Sequence, residues 1–432
     1  MRPPLASSNL TARAARRPAA GPPSARAAAR GFTLVELMVA MSGGLFISIV
    51  VFALSRDTSR FYQQETRVAH ATLSGVNGFE RLASDISRAG HLSTPNINAD
   101  PRVCNPPDGS APAILQNLRA IIIDSSGLSA SGTEVERAGI TPRAITLTGA
   151  LNAPEELHTR TVLPNANGTH DVSINLRTPA AYRIGLRLDA QAGNLAVLQN
   201  TFMSGGVGKI IRLRRMGKEQ YAVVGGVSTT ADTATLTLAA APLLVVRTSD
   251  ESVQCGLGDA GGQMGLSVID IVRYEIRSMT SDANYSELFK ASGASGLPYE
   301  AGRAELVRVE LDPTGAEIDG TREIISEYAV DLQFGAWRAS SANPSASTIV
   351  PEDADSLINT FAFTQLLRGM HVRLSVRSRE ADRDLDVQGG GGGGSRDIFR
   401  VPLTLPDNSI TYARARTFQA DVPLRNLENS NW

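Results

Sequence analysis

The sequence predicts an α+β protein: a long N-terminal helix, with a transmembrane half and an amphipathic half, packed on a large, mainly antiparallel β head. Three observations predict it. A 23-residue apolar run, Phe32 to Leu54, stands near the N-terminus; an amphipathic stretch follows it without a break; and most of the rest is short apolar/polar alternation between turns. Composition agrees, because aromatic residues make up only 5% of the 432 residues while the 39 glycines and 22 prolines supply many turns.

The first thirty residues are Ala, Pro, Arg and Ser without apolar periodicity, which predicts a disordered targeting segment. They hold six arginines and no acid, so the near balance of 42 Lys plus Arg against 43 Asp plus Glu hides an acidic body; without the six, net charge moves from −1 to −7. An acidic body argues against nucleic-acid binding. Phe32–Leu54 would measure about 34 Å as a helix, enough to cross a bilayer's hydrocarbon core. The arginines precede it, which places the N-terminus in the cytoplasm and exports the body. A secretory signal fits poorly, since "FALSRDTSRF" follows the span without an A-x-A cleavage pattern.

Within "RGFTLVELMVA" one acid, Glu36, interrupts the apolar run. A carboxylate in a membrane is costly and seeks a partner or the interface. The stretch resembles the N-terminal signature of type IV prepilins and pseudopilins, in which a basic leader ends in Gly and the mature chain starts with Phe and carries Glu at its fifth position. The resemblance implies a leader of residues 1–31, cleavage by prepilin peptidase between Gly31 and Phe32, N-methylation of Phe32, and pairing of Glu36 with the Phe32 amine of a neighbouring subunit. In low dielectric such a pair attracts strongly and an unpaired charge is expensive, so Glu36 would set assembly register. The resemblance thus implies an assembly contact for Glu36 and no catalytic role.

Residues 55–90 continue the helix. Val76, Phe79, Ala83, Ile86 and Gly90 recur at spacings of three and four and should pack on a sheet, while Arg67, Glu80, Arg81 and Asp85 read as the solvated face. "GHLSTP", with Gly90 and Pro95, signals the stop, for one helix of about 58 residues. Gly43, Gly44, Gly75 and Gly78 are either tolerated or mark close packing.

The second half also narrows the resemblance. "GVNGFERLASDISRAGH" is similar to the corresponding stretch of PilW-type minor pilins; "GGVGKIIRLRRMGKEQYAVVGGV" resembles their hairpin, "VIDIVRYEIR" their central strand, and "REIISEYAVDLQFGAW", "HVRLSVRSR" and "RTFQADVPLRN" their last segments. The sequence departs from that pattern in two places. The first cysteine comes thirteen residues after His91, and residues 125–200 are expanded.

Read from residues alone, the region 91–432 is β-rich. Val272, Tyr274 and Ile276 alternate with charged residues, as do Val307, Val309 and Leu311, and Val372, Leu374 and Val376. Further strands are expected at Ala120–Asp124, Ala144–Thr148, Val172–Leu176, Arg183–Leu188, Ile210–Arg214, Tyr221–Val224, Thr233–Leu238 and Thr417–Leu424. Residues 340–356 and the glycine run 388–395 are expected as loops. Cys104 and Cys255, in an exported region, are expected to form a disulfide; free thiols or pairing with another subunit are the alternatives.

Catalytic patterns are missing. "CGLGDAG" contains G-x-G-x-x-G but is not flanked by a strand and a helix, and "GGVGK" at 205–209 lacks the first Gly and the Ser or Thr of a phosphate loop. The five histidines, His70, His91, His158, His170 and His371, show no metal-site spacing, and "PEDAD" at 351–355 lacks the oxygen spacing of a calcium loop. A structural protein is expected, with no enzyme activity, cofactor, metal, nucleic acid or small-molecule substrate. The resemblance implies a minor pilin in an inner-membrane state before assembly and at the pilus tip and cell surface afterwards. It would prime assembly with other minor pilins and the major pilin, and present a tip adhesin. A minor pseudopilin of a type II secretion system, an anchored binding protein that never assembles, and a DNA-uptake pilin are the alternatives.

Overall fold

The computed structural model describes residues 32–104, 106–125, 133–188, 190–230, 232–245, 263–280, 282–285, 302–341, 347–352, 364–379, 400–404 and 410–428. Residues 1–31, expected to form a leader, Cys255 and the glycine run 388–395 lie outside them. The chain forms two compact units, one ending at Tyr62 and one from Gln63 onward.

Helix α1 (Leu34–Arg88) covers 55 residues with acidic Glu36 in its first turn and Arg88 in its last, the charge placement that complements the helix dipole. It stops where expected, because Gly90 adopts φ +73° and passes its N–H to Thr148 O at 2.8 Å.

The head contains short helices α2 (Ala113–Gln116), α3 (Glu134–Arg137) and α4 (Pro179–Arg183), the longer α5 (Gln191–Phe202), and seventeen strands among the described residues. Strands β1 (Ile121–Asp124), β2 (Ala144–Gly149), β3 (Leu157–Pro164) and β4 (His170–Ile174) come first. A small hairpin follows, β5 (Met203–Ser204) and β6 (Val207–Gly208), then β7 (Ile210–Arg215), β8 (Lys218–Thr229), β9 (Ala234–Leu238), β10 (Gly265–Arg277), β11 (Glu305–Glu310) and β12 (Glu323–Ser326). The last group is β13 (Ala329–Ala339), β14 (Ile349–Glu352), β15 (Leu367–Arg377), β16 (Arg400–Thr404) and β17 (Ile410–Pro423). The two glycines of the β5–β6 turn and the Met216-Gly217 pair of the β7–β8 turn all have positive φ, as tight two-residue hairpins require.

The thirteen-residue β10 organises the head. Its first half pairs with β3 on one side and β7 on the other, and the order β10-β3-β4-β9-β8-β7 returns to β10, closing a six-stranded barrel. Its second half pairs with β2 and β11, and that extension ends in β1 and β12. Closure leaves the barrel no free edge. Side-chain alternation along β10 then feeds three cores. Leu266 and Val268 join the barrel core with Phe202 of α5; Ile269 and Ile271 join a cluster with Leu115 and Leu118; Val272, Tyr274 and Ile276 face α1. A second sheet, ordered β14-β13-β15-β17-β16, presents Leu332, Phe334, Val372, Leu374 and Val376 to the same core as α1.

Several expectations need correction. Arg183–Leu188 is no strand. Thr178 caps α4 by accepting the Ala181 N–H, Pro179 sits at its start, and Gly185 at φ +98° breaks any extended run through Ile184, Leu186 and Leu188. The stretch 340–356 is not all loop, for Ile349–Glu352 forms β14 and pairs with β13 through Ala339 to Ala336. Asp85 does not lie on the solvated face: it is 1% exposed, because it meets a buried cation and a phenol described below. Strands β3, β13 and β16 and helix α5 lay outside the expectations. "AVDLQFGAWRA" does alternate, but valine, aspartate and glycine within it blur the signal.

Candidate functional site

The functional residues expected from sequence stand at the start of α1. Phe32 is 86% exposed, and Leu34, Val35, Leu37, Met38, Phe46 and their neighbours to Leu54 are exposed as well. Among the described residues this is the one helix long and apolar enough to span a bilayer, with a mean hydropathy of 2.4 in its most apolar window.

Glu36 occupies the third helical position, and its carboxylate turns back on the helix start. The Thr33 N–H donates to Glu36 Oε2 at 2.9 Å and the Thr33 hydroxyl to the same oxygen at 3.1 Å, while the Glu36 N–H donates to Thr33 Oγ1 at 3.2 Å. This reciprocal capping box satisfies two otherwise orphaned helix N–H groups. Sequence reasoning passed over Thr33, although the T-x-x-E spacing before an apolar run was the available signal. The carboxylate therefore has local partners that cover its cost before any neighbour arrives. Gly31 lies outside the described residues.

The lower half of α1 meets the head through a stripe of small and apolar residues. Leu82, Ile86 and Ala89 are buried, Phe79 and Ala83 partly so, as the three-and-four spacing predicts for Phe79, Ala83 and Ile86. Gly75 and Gly78 are buried with them. A Cβ on Gly75 would lie 3.0 Å from Val376 Cγ2 and against the Phe418 ring, and one on Gly78 2.8 Å from Ser326 Cβ. These two glycines mark close packing. At Gly43 and Gly44 a Cβ would meet nothing within 4 Å.

Inside that stripe Asp85 is the polar pin. Its Oδ2 accepts the Tyr274 hydroxyl at 2.7 Å and Arg308 Nε at 3.1 Å, and Arg308 Nη2 donates onward to Asn152 Oδ1 at 3.0 Å. Burial, reinforced by the Asp85 charge, pushes the Tyr274 phenol far above its ordinary range, so it remains a donor. The pin ties α1 to β10 and β11 at one rotational setting.

Cys104 is buried and disulfide-bonded; Cys255, the other cysteine of the chain, lies outside the described residues. No cluster of three metal-ligating side chains occurs among the described residues. Of the histidines, His371 contacts Asp421 Oδ1 at 2.9 Å on an exposed sheet face, and burial lowers the pKa of His170.

Residues 26–42 match the prokaryotic N-terminal methylation motif. The match supports a type IV pilin-like protein. It implies processing by a prepilin peptidase and assembly with other pilins at the membrane, and the exposed apolar helix is consistent with membrane anchoring. No curated protein and no solved structure matches the chain.

Proposed function

We propose that this pilin-like protein is a minor pilin of a type IV pilus, of the PilW type, acting as a structural and non-enzymatic part of a tip complex. In this reading it primes pilus assembly with other minor pilins, helps to present a tip adhesin, and supports adhesion and twitching motility. The observation that carries the reading is the methylation motif leading into a helix whose apolar residues from Leu34 to Leu54 are exposed, with about 340 residues following the helix. So large a head fits badly if repeated along a close-packed shaft, which favours low copy number at the tip. Glu36 is the assembly contact to the Phe32 amine of the next subunit, and Cys104 pairs with Cys255.

The first experiment is mass spectrometry of the N-terminus of the membrane-bound protein with and without the host's prepilin peptidase. The expected product begins with methylated Phe32 and is lost without the peptidase. An intact leader, or cleavage beyond residue 54, overturns the pilin reading. Pilus yield in a strain lacking the gene, set beside secretion of type II substrates, then separates pilin from pseudopilin. Loss of pili with secretion intact is the outcome expected here.

A further inference from the structure

The segment "GGVGK", which fails as a phosphate loop, ends in a lysine that the fold buries. Lys209 sits between β6 and β7, its side chain 11% exposed, and its Nζ lies 2.7 Å from Asp270 Oδ1 and 3.5 Å from Glu310 Oε2. Asp270 is 1% exposed and Glu310 16%. Both acids are held in place by one residue. The Asn152 N–H donates to Asp270 Oδ2 at 2.7 Å, and Asn152 Nδ2 donates to Glu310 Oε1 at 2.9 Å. Ile210, Ile269, Ile271, Leu311 and Ile318 line the small cleft around them, and a third acid, Asp312, lines it as well.

The strand register makes this juxtaposition rigid. Ile269 of β10 pairs with Ile210 of β7, so Asp270 and Lys209 are the next residues along the seam that closes the barrel. Glu310 comes from β11, paired to Val272 on the other flank of β10. A 2.7 Å contact to one carboxylate oxygen puts the carboxyl carbon about 3–4 Å from Nζ, at the edge of near-attack range. Condensation would remove the Lys209 and Asp270 charges together, and with them the desolvation that two buried ions carry.

We propose that Lys209 and Asp270 form an intramolecular isopeptide bond, with Glu310 as the proton shuttle. Glu310 takes one proton from the ammonium and passes it to Asp270 Oδ1, and the freed Nζ lone pair attacks Cγ of the now neutral carboxyl. The developing negative charge on Oδ2 is held by the Asn152 N–H. Oδ1, by then a hydroxyl, receives a second proton from Nζ through Glu310, the Cγ–Oδ1 bond breaks, and one water leaves. The amide keeps the third ammonium hydrogen, so ammonium plus carboxylate becomes amide plus water with no oxidant or activating group. Burial lowers the lysine pKa and the two carboxylates outweigh it, leaving it raised; the resting amine is protonated, which is why the reaction needs Glu310 as base. The product clamps the barrel seam covalently.

The test is mass spectrometry of the detergent-purified full chain, reduced, alkylated and digested. The expected result is a peptide pair joined through Lys209 and Asp270 and lighter by one water than the sum of its parts. Lys209→Arg, which keeps the charge but cannot condense, and Glu310→Gln should both yield separate, unmodified peptides. Separate Lys209 and Asp270 peptides from the wild-type chain would overturn the proposal, as would an unchanged cross-link in Lys209→Arg.

Discussion

Glu36 and Asp85 show how one residue type serves two purposes along the same helix. Glu36 finds its partner Thr33 within its own first turn, whereas the partners of Asp85 Oδ2, Tyr274 and Arg308, lie more than 180 positions away. Thr33→Ala should remove only the cap, costing the helix end about 1 kcal/mol, and should leave most surface assembly intact. Glu36→Ala should abolish assembly while membrane abundance stays unchanged; immunoblots of sheared surface material against membranes read both. Equal loss in the two variants would mean that Glu36 acts through the cap alone. Asp85→Ala strips a buried cation of its partner and should cost about 3 kcal/mol in denaturant unfolding, with Asn152 still holding part of Arg308. Glu36 was legible because its signature is local. Asp85 was misread because an acid at that spacing looks solvated until Tyr274 and Arg308 are brought against it.

At the scale of elements, the helix stripe and strand β11 each carry a prediction. Gly75→Ala forces a methyl against Val376 and Phe418 and should destabilise by about 1–3 kcal/mol, while Gly43→Ala, with nothing nearby, should not lower head stability. Denaturant midpoints of the two variants compare them directly. Glu305 on β11 is desolvated, which raises its pKa above the ordinary 4.5, although Arg303 opposes the shift. The folded state therefore holds this proton when the unfolded state has released it. Its contribution to stability is full below the unfolded value and falls as pH rises through the raised one. Midpoints across the acidic range should show the wild type losing stability with rising pH relative to Glu305→Gln. Alternating strands such as β10, β11 and β15 could be read in advance, because each keeps a period of two against one wet or differently packed face. Helix α5 and strand β3 could not. α5 is weakly amphipathic because its buried stripe pairs polar Asn194 with Leu198 and Phe202, and β3 includes histidine, arginine and proline at its exposed positions.

On the scale of the whole molecule, Cys104 offers a test of how the head is held together. If it pairs with Cys255 as proposed, the bond closes a loop of roughly 150 residues and stabilises by on the order of 5 kcal/mol in the chain-entropy model. Reduction should lower the unfolding midpoint by a shift that Cys104→Ala reproduces, and Cys104→Ala should then be insensitive to reductant. The sequence by itself determined the α+β class, the extent of α1 and the N-terminal motif, since each rests on neighbours in the chain: hydropathy, periodicity and a short contiguous signature. Only the tertiary structure decided that β10 closes a barrel and also carries the extension through β2 and β11, that Gly75 and Gly78 are contact points, and that Lys209 lies buried against Asp270. Those facts depend on which strands pair and on how closely backbones approach, and pairing between distant segments is an energy of the packed whole that no local window contains.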